Sequence, residues 1–187
     1  MNQDYLAHHG VKGMKWGVRR YQNYDGSLTS LGLYRRRAMN ASKTKSQVDE
    51  IYNSLSKHEK HLLGDDKNLK EFLSIEEGEY VVKRFIDKEG DIPVAFLDIM
   101  TTTKPGHLTV ALATKPEYRE QGRALKLATK GKEWFDKNAD KIDATYLEWG
   151  AYTENKPSRQ VAEKVGFKYE KKKSDDEWAV YGYKKKK

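Results

Sequence analysis

The segment 108–124, LTVALATKPEYREQGRA, constrains the fold more than any other part of the chain. Its first half is a short apolar run that predicts a strand, and its second half predicts a loop leading into a helix at about residue 122. A glycine-containing loop that enters a helix directs unpaired backbone N–H groups toward one point, where the helix dipole adds partial positive charge. The segment therefore predicts a site for a phosphorylated ligand.

The composition limits the classes of function. The chain has 187 residues, no cysteine and a formal net charge of +8. Its length suits one domain with an appendage, and its charge favours anionic partners. The lack of cysteine excludes disulfides, thiolate nucleophiles and cysteine-based zinc sites. The histidine pairs 8–9 and 58/61 have no cysteine or carboxylate partners suited to a metal, so we expect no metal site.

The charge and the glycines divide the chain into four parts. Residues 1–37 contain seven Lys or Arg against two Asp, with glycines and aromatic residues between them, which indicates an extended basic arm. The predicted parts are an arm over 1–37, a linker over 38–45, a folded domain over 46–183 and a basic tail over 184–187.

The hydrophobic pattern of the domain predicts alternating strands and helices. We predict one helix over 46–63, capped by Ser46 and stopped by Gly64. Further predicted elements are strands at 80–86, 92–102 and 108–114, a helix over 122–138, a strand over 145–149, a short helix between Asn155 and Gly166, and strands at 167–170 and 178–183. The strands at 80–86 and 92–102 are joined by a short turn and must pair antiparallel as a hairpin. The strand–helix–strand unit after residue 108 favours a parallel pair. A mixed sheet with helices on both faces follows.

Two motifs within residues 46–183 resemble the GNAT family of acetyl-CoA-dependent N-acetyltransferases. The first is Val110–Ala113 followed by YREQGRA at 118–124, and the second is Asn155 followed by AEKVGF at 162–167. The resemblance implies an α/β fold with a mixed, mostly antiparallel sheet and helices on both faces, preceded by the extended arm. It also implies transfer of an acetyl group from acetyl-CoA to an amine of a small molecule or a protein.

The same resemblance assigns residues to acetyl-CoA. Backbone N–H groups between Gln121 and Ala124 would hold the pyrophosphate, with Arg119 and Arg123 adding charge. The strand Val110–Ala113 would pair with the pantetheine amides, and the strand after it would diverge and leave a wedge for the thioester. The implied cofactor-binding residues are Val110, Ala111, Leu112, Ala113, Arg119, Gln121, Gly122, Arg123, Ala124 and Asn155.

The catalytic residues are harder to assign, because Ala162 stands where many family members have a tyrosine that protonates the leaving thiolate. We consider Glu148 as the general base and Tyr152 and Ser158 as proton donors, since acetyl transfer needs a neutral amine and a protonated thiol. Weaker candidates are Tyr169 and His107. For each of these residues the alternative is an ordinary side chain in solvent or at the edge of the core.

The segment 4–37 resembles a short peptide attached to bacteriophage and prophage proteins, many of them associated with the virion. We therefore expect a phage-encoded protein in the cytoplasm of a host bacterium, with the arm docking on a virion protein. A leader without such a role is the alternative for the arm. For the whole chain, a non-catalytic phage structural or assembly-associated module is the rival to the enzyme, and a nucleic-acid-binding protein is a weaker third reading. We expect no membrane association.

Overall fold

The computed structural model of the chain describes residue 27 and residues 43–63 and 81–185. The chain divides into two units, Met1–Lys43 and Thr44–Lys187, and the fold below is that of the second unit. The predicted arm, apart from residue 27, and most of the predicted linker lie outside the described residues, so the predicted domain boundaries stay predictions. Within the described ranges, no helix has the length and apolar composition needed to cross a membrane.

The domain is built on a six-stranded mixed sheet in the order β1-β2-β3-β4-β6-β5. The strands are β1 (Val81–Glu89), β2 (Ile92–Thr101), β3 (His107–Thr114), β4 (Tyr146–Tyr152), β5 (Lys168–Tyr169) and β6 (Trp178–Lys184). Strands β3 and β4 are parallel, and the other neighbouring strands of this sheet are antiparallel. The predicted α/β class and the mostly antiparallel sheet are confirmed.

Four α-helices flank the sheet in the described residues. They are α1 (43–53), α2 (Lys57–Leu62), α3 (Arg123–Asn138) and α4 (Lys156–Val165). Apolar residues of α1 pack with β1, β2 and β3 in one buried cluster, whereas α3 and α4 contribute to a second cluster that includes Leu97, Leu147 and Trp149. Because successive residues of a strand point to opposite faces, the two clusters lie on opposite faces of the sheet. Helices therefore cover both faces, as predicted.

The single helix predicted over 46–63 is wrong, because the structure has two helices there. The first already includes Lys43, so Ser46 lies inside it and does not cap it. The chain leaves helical geometry at residues 54–56, and Ser56 caps α2 in a reciprocal capping box with Glu59. A side chain that satisfies free N–H groups favours a new helix start at that point. The predicted stop at Gly64 lies outside the described residues.

The remaining helix ends follow the sequence closely. Helix α3 begins after Gly122, and α4 begins after Asn155, whose side-chain oxygen accepts a hydrogen bond from the Ser158 backbone N–H at 3.2 Å. Helix α4 ends at Gly166, which has a φ of +97°. This left-handed conformation favours glycine and closes the last helical turn.

Candidate functional site

Strands β3 and β4 separate, and this separation defines the site. They pair only from His107–Thr109 to Tyr146–Glu148, although β3 continues to Thr114 and β4 to Tyr152. Beyond the paired segment, β4 continues to pair with β6 along its whole length. The sheet therefore stays intact on both sides and opens between these two strands, as the family resemblance implied.

At this opening lies a cleft of about 680 Å³, which extends between the helices on the two faces of the sheet. Strand residues from β3 and β4 line its sides, the start of α3 lines one end, and residues of α4 lie on one face of the sheet. Leu55, Leu62 and Leu63, at and beyond the ends of α2, line it on the other face. Side chains from the helices on both faces of the sheet therefore line the cleft.

Nine of the ten residues predicted to bind the cofactor line this cleft. They are Val110, Ala111, Leu112, Ala113, Arg119, Gly122, Arg123, Ala124 and Asn155. Gln121 is not among the lining residues, and its side-chain oxygen accepts a hydrogen bond from Arg123 Nε at 3.0 Å. Residues separated by up to 45 positions in the sequence are brought together by the strand–loop–helix unit and the start of α4.

The N-terminus of α3 has the features of an anion site. Gly122 is the N-cap residue with a φ of +73°, and no side chain caps the helix. A Cβ built on Gly122 would meet no atom within 4 Å, so the space beside this backbone is open. Helix α3 has 16 residues, and its first N–H groups carry the positive end of the helix dipole. The local geometry fits a phosphate group.

The two arginines beside this N-terminus, Arg119 in the loop and Arg123 at the first position of α3, are held by carboxylates. Arg123 pairs with Asp87 at 3.0 Å and with Glu89 in the β1–β2 hairpin, and Arg119 pairs with Glu59 on α2. The hydrogen bonds that Arg123 donates to Glu89 and to Asp87 raise the pKa of Arg123. Neither carboxylate partner of Arg123 is close in sequence, so sequence reasoning had no signal for these ion pairs.

Glu120 is a lining residue that the sequence reasoning did not include. It has a φ of 61°, in the left-handed region that L-residues other than Asn and Asp rarely adopt. Its side chain is exposed at the cleft, one residue before Gln121 and two before Gly122. The loop therefore holds a negatively charged residue in a strained conformation beside the start of α3.

Ser158 is the candidate proton donor that the structure places in the cleft. Its hydroxyl oxygen accepts a hydrogen bond from the buried indole of Trp149 at 3.0 Å. Ala162, one helical turn later, is 0% exposed and belongs to the core on the same side. Since the accepted bond occupies one lone pair of the hydroxyl, its hydrogen is directed away from the indole.

Glu148 and Tyr152 lie on the opposite face of β4 from Trp149 and do not line the cleft. Tyr152 packs its ring between those of His61, at 4.5 Å, and Trp178, at 4.9 Å between ring centroids. Glu148 belongs to the last register pair before β3 and β4 separate. The two candidate side chains therefore lie near opposite ends of β4, so they cannot both contact the same reacting atom.

A cluster of ionisable side chains surrounds Glu148. Lys173 Nζ lies 3.6 Å from the Glu148 carboxylate, pairs with Glu170 at 2.8 Å and donates to Tyr146 Oη at 2.8 Å. Burial alone would lower the pKa of Lys173, but its bonds to Glu170 and Tyr146 raise it. The ring of His107 contacts that of Tyr146 at 4.6 Å between ring centroids. Burial, followed by the charges of nearby lysines, lowers the pKa of His107, which favours its neutral form.

Tyr169, the remaining candidate, is 51% exposed on the edge strand β5 and is in ring contact with Tyr181. It is not a lining residue of the cleft. Within the parts of the chain that the structure describes, no three His, Asp or Glu side chains are grouped so that they could hold a metal ion.

Comparison with known structures gives the same architecture. An acetyltransferase of the GNAT family from Bacillus anthracis superposes with a TM-score of 0.55 at 16% identity, over 75% of this chain and 90% of that one. The GNAT domain of S. lividans PAT gives a TM-score of 0.55 at 12% identity, with 76% and 85% covered. The ribosomal-protein-S5-alanine acetyltransferase from Vibrio fischeri gives 0.51 at 14% identity, with 75% and 88% covered. At these identities the likeness concerns the fold.

Different family models match the N-terminal segment and the rest of the chain. No curated protein matches it. Residues 1–23 match a family of unknown function, DUF7211. Residues 46–167 match the acetyltransferase (GNAT) family. Since this second match covers more than half of the chain and agrees with the sheet, the cleft and the open start of α3, the protein belongs to the acetyltransferase (GNAT) family.

Proposed function

We propose that the protein transfers the acetyl group of acetyl-CoA to an amine of an acceptor molecule. The observation that carries this proposal is the cleft between β3 and β4, which ends at the uncapped N-terminus of α3. A strand edge and an anion site joined by one cleft suit a ligand that has amides along its length and phosphates at one end.

Backbone groups would hold acetyl-CoA. The N–H groups from Gly122 to Ala124 would bind the pyrophosphate, and the free edge of Val110–Ala113 would pair with the pantetheine amides. Acetyl-CoA supplies an activated thioester, whose C–S bond breaks as the C–N bond to the amine forms. One proton must therefore leave the amine, and one must reach the departing sulfur.

We assign the two proton transfers to opposite faces of β4. Glu148, beside the point where the strands separate, would accept the proton of the amine, directly or through one water molecule. Ser158 would donate its hydroxyl proton to the departing thiolate from the α4 side and regain a proton from water, with Trp149 orienting the hydroxyl. In this arrangement the two side chains act at the same thioester carbon from opposite faces of the sheet, through the gap between β3 and β4. Tyr152, enclosed by two rings, would support the packing of β4.

The test has a binding step and a turnover step. Titration of the full chain with acetyl-CoA in a calorimeter should show one site. Release of coenzyme A should then be measured with a lysine peptide, a peptide N-terminus, an aminoglycoside and a polyamine. With the best amine, Glu148→Gln and Ser158→Ala should each lower kcat by about 100-fold. Glu133→Gln, an exposed position of α3, is the matched control and should keep wild-type rates. Wild-type kcat in both variants would exclude the assigned roles.

A second function, a non-catalytic phage assembly module that keeps the acetyltransferase fold, is favoured by one observation. Ala162 is in the core and does not supply a proton donor. The same experiment decides between the two functions, because the module would bind acetyl-CoA and acetylate none of the amines.

For the N-terminal segment we propose docking on a virion protein of a phage. Two observations support this proposal. Residues 1–37 contain seven basic and two acidic residues, and residues 4–37 resemble phage-associated peptides. Removing residues 1–40 should abolish co-purification with phage particles while acetyl-CoA binding is kept. Equal association of the full and shortened chains would refute it.

A further inference from the structure

Glu59 connects two parts of the cleft. One of its carboxylate oxygens accepts a hydrogen bond from the Ser56 backbone N–H at 2.7 Å, and the Ser56 hydroxyl in turn accepts from the Glu59 N–H at 3.2 Å. The other carboxylate oxygen pairs with the guanidinium of Arg119. The same side chain therefore closes the first turn of α2 and binds the loop before α3.

Arg119 is bound at two points of the protein. Its Nε donates to the backbone oxygen of Thr114 at 3.3 Å, at the end of β3, while Nη1 pairs with Glu59. The side chains of Arg119 and Glu59 are 42% and 22% exposed, so the pair lies at the edge of the cleft and is not fully desolvated. A guanidinium held in this way links the end of β3 to α2.

Helix α2 and its flanks form one wall of the cleft through Leu55, Leu62 and Leu63. This helix has only six residues and no buried residue of its own. A helix this short has little stability in isolation, so its position depends on tertiary contacts. The pair between Glu59 and Arg119 is one of those contacts, and it joins the wall to the loop that precedes α3.

We propose that Glu59 is a positioning residue that fixes the α2 wall of the cleft on the loop before α3, and that Arg119 is its anchor and not a phosphate ligand. The inference rests on the proposed function in that this loop is taken as the phosphate site. Burial alone would raise the pKa of Glu59, but hydrogen bonds from Ser56 and Arg119 lower it to about 2. The pair therefore stays charged throughout the neutral range, and its contact holds the wall on the loop.

The test measures amide hydrogen exchange of residues 57–63 and coenzyme A binding in the full chain. Glu59→Gln and Arg119→Met should each speed the exchange of these residues about threefold, as expected for a partly exposed ion pair. The double variant should be no faster than either single one, because both remove the same interaction. Arg119→Lys, which keeps the charge on Glu59 paired but cannot make both bonds of the guanidinium, should restore part of the slow exchange. Arg123→Met, which removes a guanidinium held by Asp87, is the matched control and should leave residues 57–63 unchanged.

Calorimetry with coenzyme A separates an anchor from a phosphate ligand. If Arg119 anchors α2, Glu59→Gln and Arg119→Met should change the Kd of coenzyme A in the same direction, by less than about threefold. If Arg119 binds the phosphates instead, the two variants should change the Kd in opposite directions. Loss of the Glu59 charge would then free Arg119 for the phosphates and tighten binding, whereas Arg119→Met would weaken it. Opposite signs, or unchanged exchange in Arg119→Met, would overturn the proposal. If the wild type bound no coenzyme A, the proposed function would fail, and the exchange comparison would still decide whether Arg119 anchors α2.

Discussion

Replacing Gly122 with alanine tests the phosphate site directly. Gly122 has a φ of +73°, and an added Cβ would meet no protein atom within 4 Å. The cost to the fold is therefore backbone strain without a clash, about 1–2 kcal/mol for an L-residue in the left-handed region. For a domain of this size we expect the Tm to fall by roughly 3–6 °C.

The effect on binding should be larger than the effect on folding. The new methyl group would occupy the open space beside the first N–H groups of α3, which Gly122 leaves accessible. Loss of one hydrogen bond to a charged phosphate costs about 1.5–3 kcal/mol, which weakens the binding of acetyl-CoA by about 10- to 150-fold in Kd. Calorimetry measures the Kd, and thermal denaturation without ligand measures the strain.

Gly166 supplies the matched control. It has a φ of +97°, its added Cβ would also meet no atom within 4 Å, and it closes α4 without lining the cleft. Gly166→Ala should thus lower the Tm by a similar amount and leave the Kd unchanged. Equal Kd values for Gly122→Ala, Gly166→Ala and the wild type would refute the assignment of the α3 N-terminus to the phosphates.

Three further predictions concern the proton donor, the core and the response to acid. Ser158→Ala should lower kcat about 100-fold, whereas Trp149→Phe, which keeps the hydroxyl but not its orienting indole N–H, should lower kcat less; steady-state kinetics with the best amine decides. The side chains of Arg84 and Asp98 are both 0% exposed and share two hydrogen bonds of 2.8 and 2.6 Å. Arg84→Met should therefore cost about 3–5 kcal/mol in urea unfolding, and adding Asp98→Leu should recover much of it; a loss below about 1 kcal/mol would contradict the reasoning. The pKa of Glu59 is lowered from 4.5 to about 2, so its contribution to stability should be complete above pH 4.5 and lost as the pH falls through 2. The Tm difference between wild type and Glu59→Gln should shrink as the pH falls from 4.5 to 2, and an undiminished difference at pH 2 would contradict the lowered pKa of Glu59.

The parts of the fold with local signals could be predicted from the sequence. The strand, loop and helix around Gly122 follow from apolar periodicity and one glycine, and the start and end of α4 follow from Asn155 and Gly166. The break between α1 and α2 also had a local signal, because Ser56 and Glu59 have the spacing of a capping box. The apolar stripe from Val48 to Leu63 predicted a single helix because its helical spacing does not reveal the break at residues 54–56.

The ion pairs of the site could not be predicted, because their partners are distant in the sequence. Arg119 lies 60 residues from Glu59, and Arg123 lies 36 residues from Asp87. Sequence spacing carries no information about such pairs, so both arginines looked available for phosphate. The cluster around Glu148 was missed for the same reason, since Lys173 belongs to a lysine run that reads as a solvent-exposed surface.

The short parallel register of β3 and β4 has a thermodynamic consequence. From Val110 onward, the edge of β3 that faces β4 has no strand partner in β4. A ligand that supplies amides along this edge would act as an additional strand, so part of the sheet's backbone hydrogen bonding would depend on cofactor concentration. Folding and cofactor supply would then be linked, with a gain of about 2.7 kcal/mol at a ligand concentration 100 times the Kd. Such a domain would unfold and be degraded more readily when acetyl-CoA is scarce.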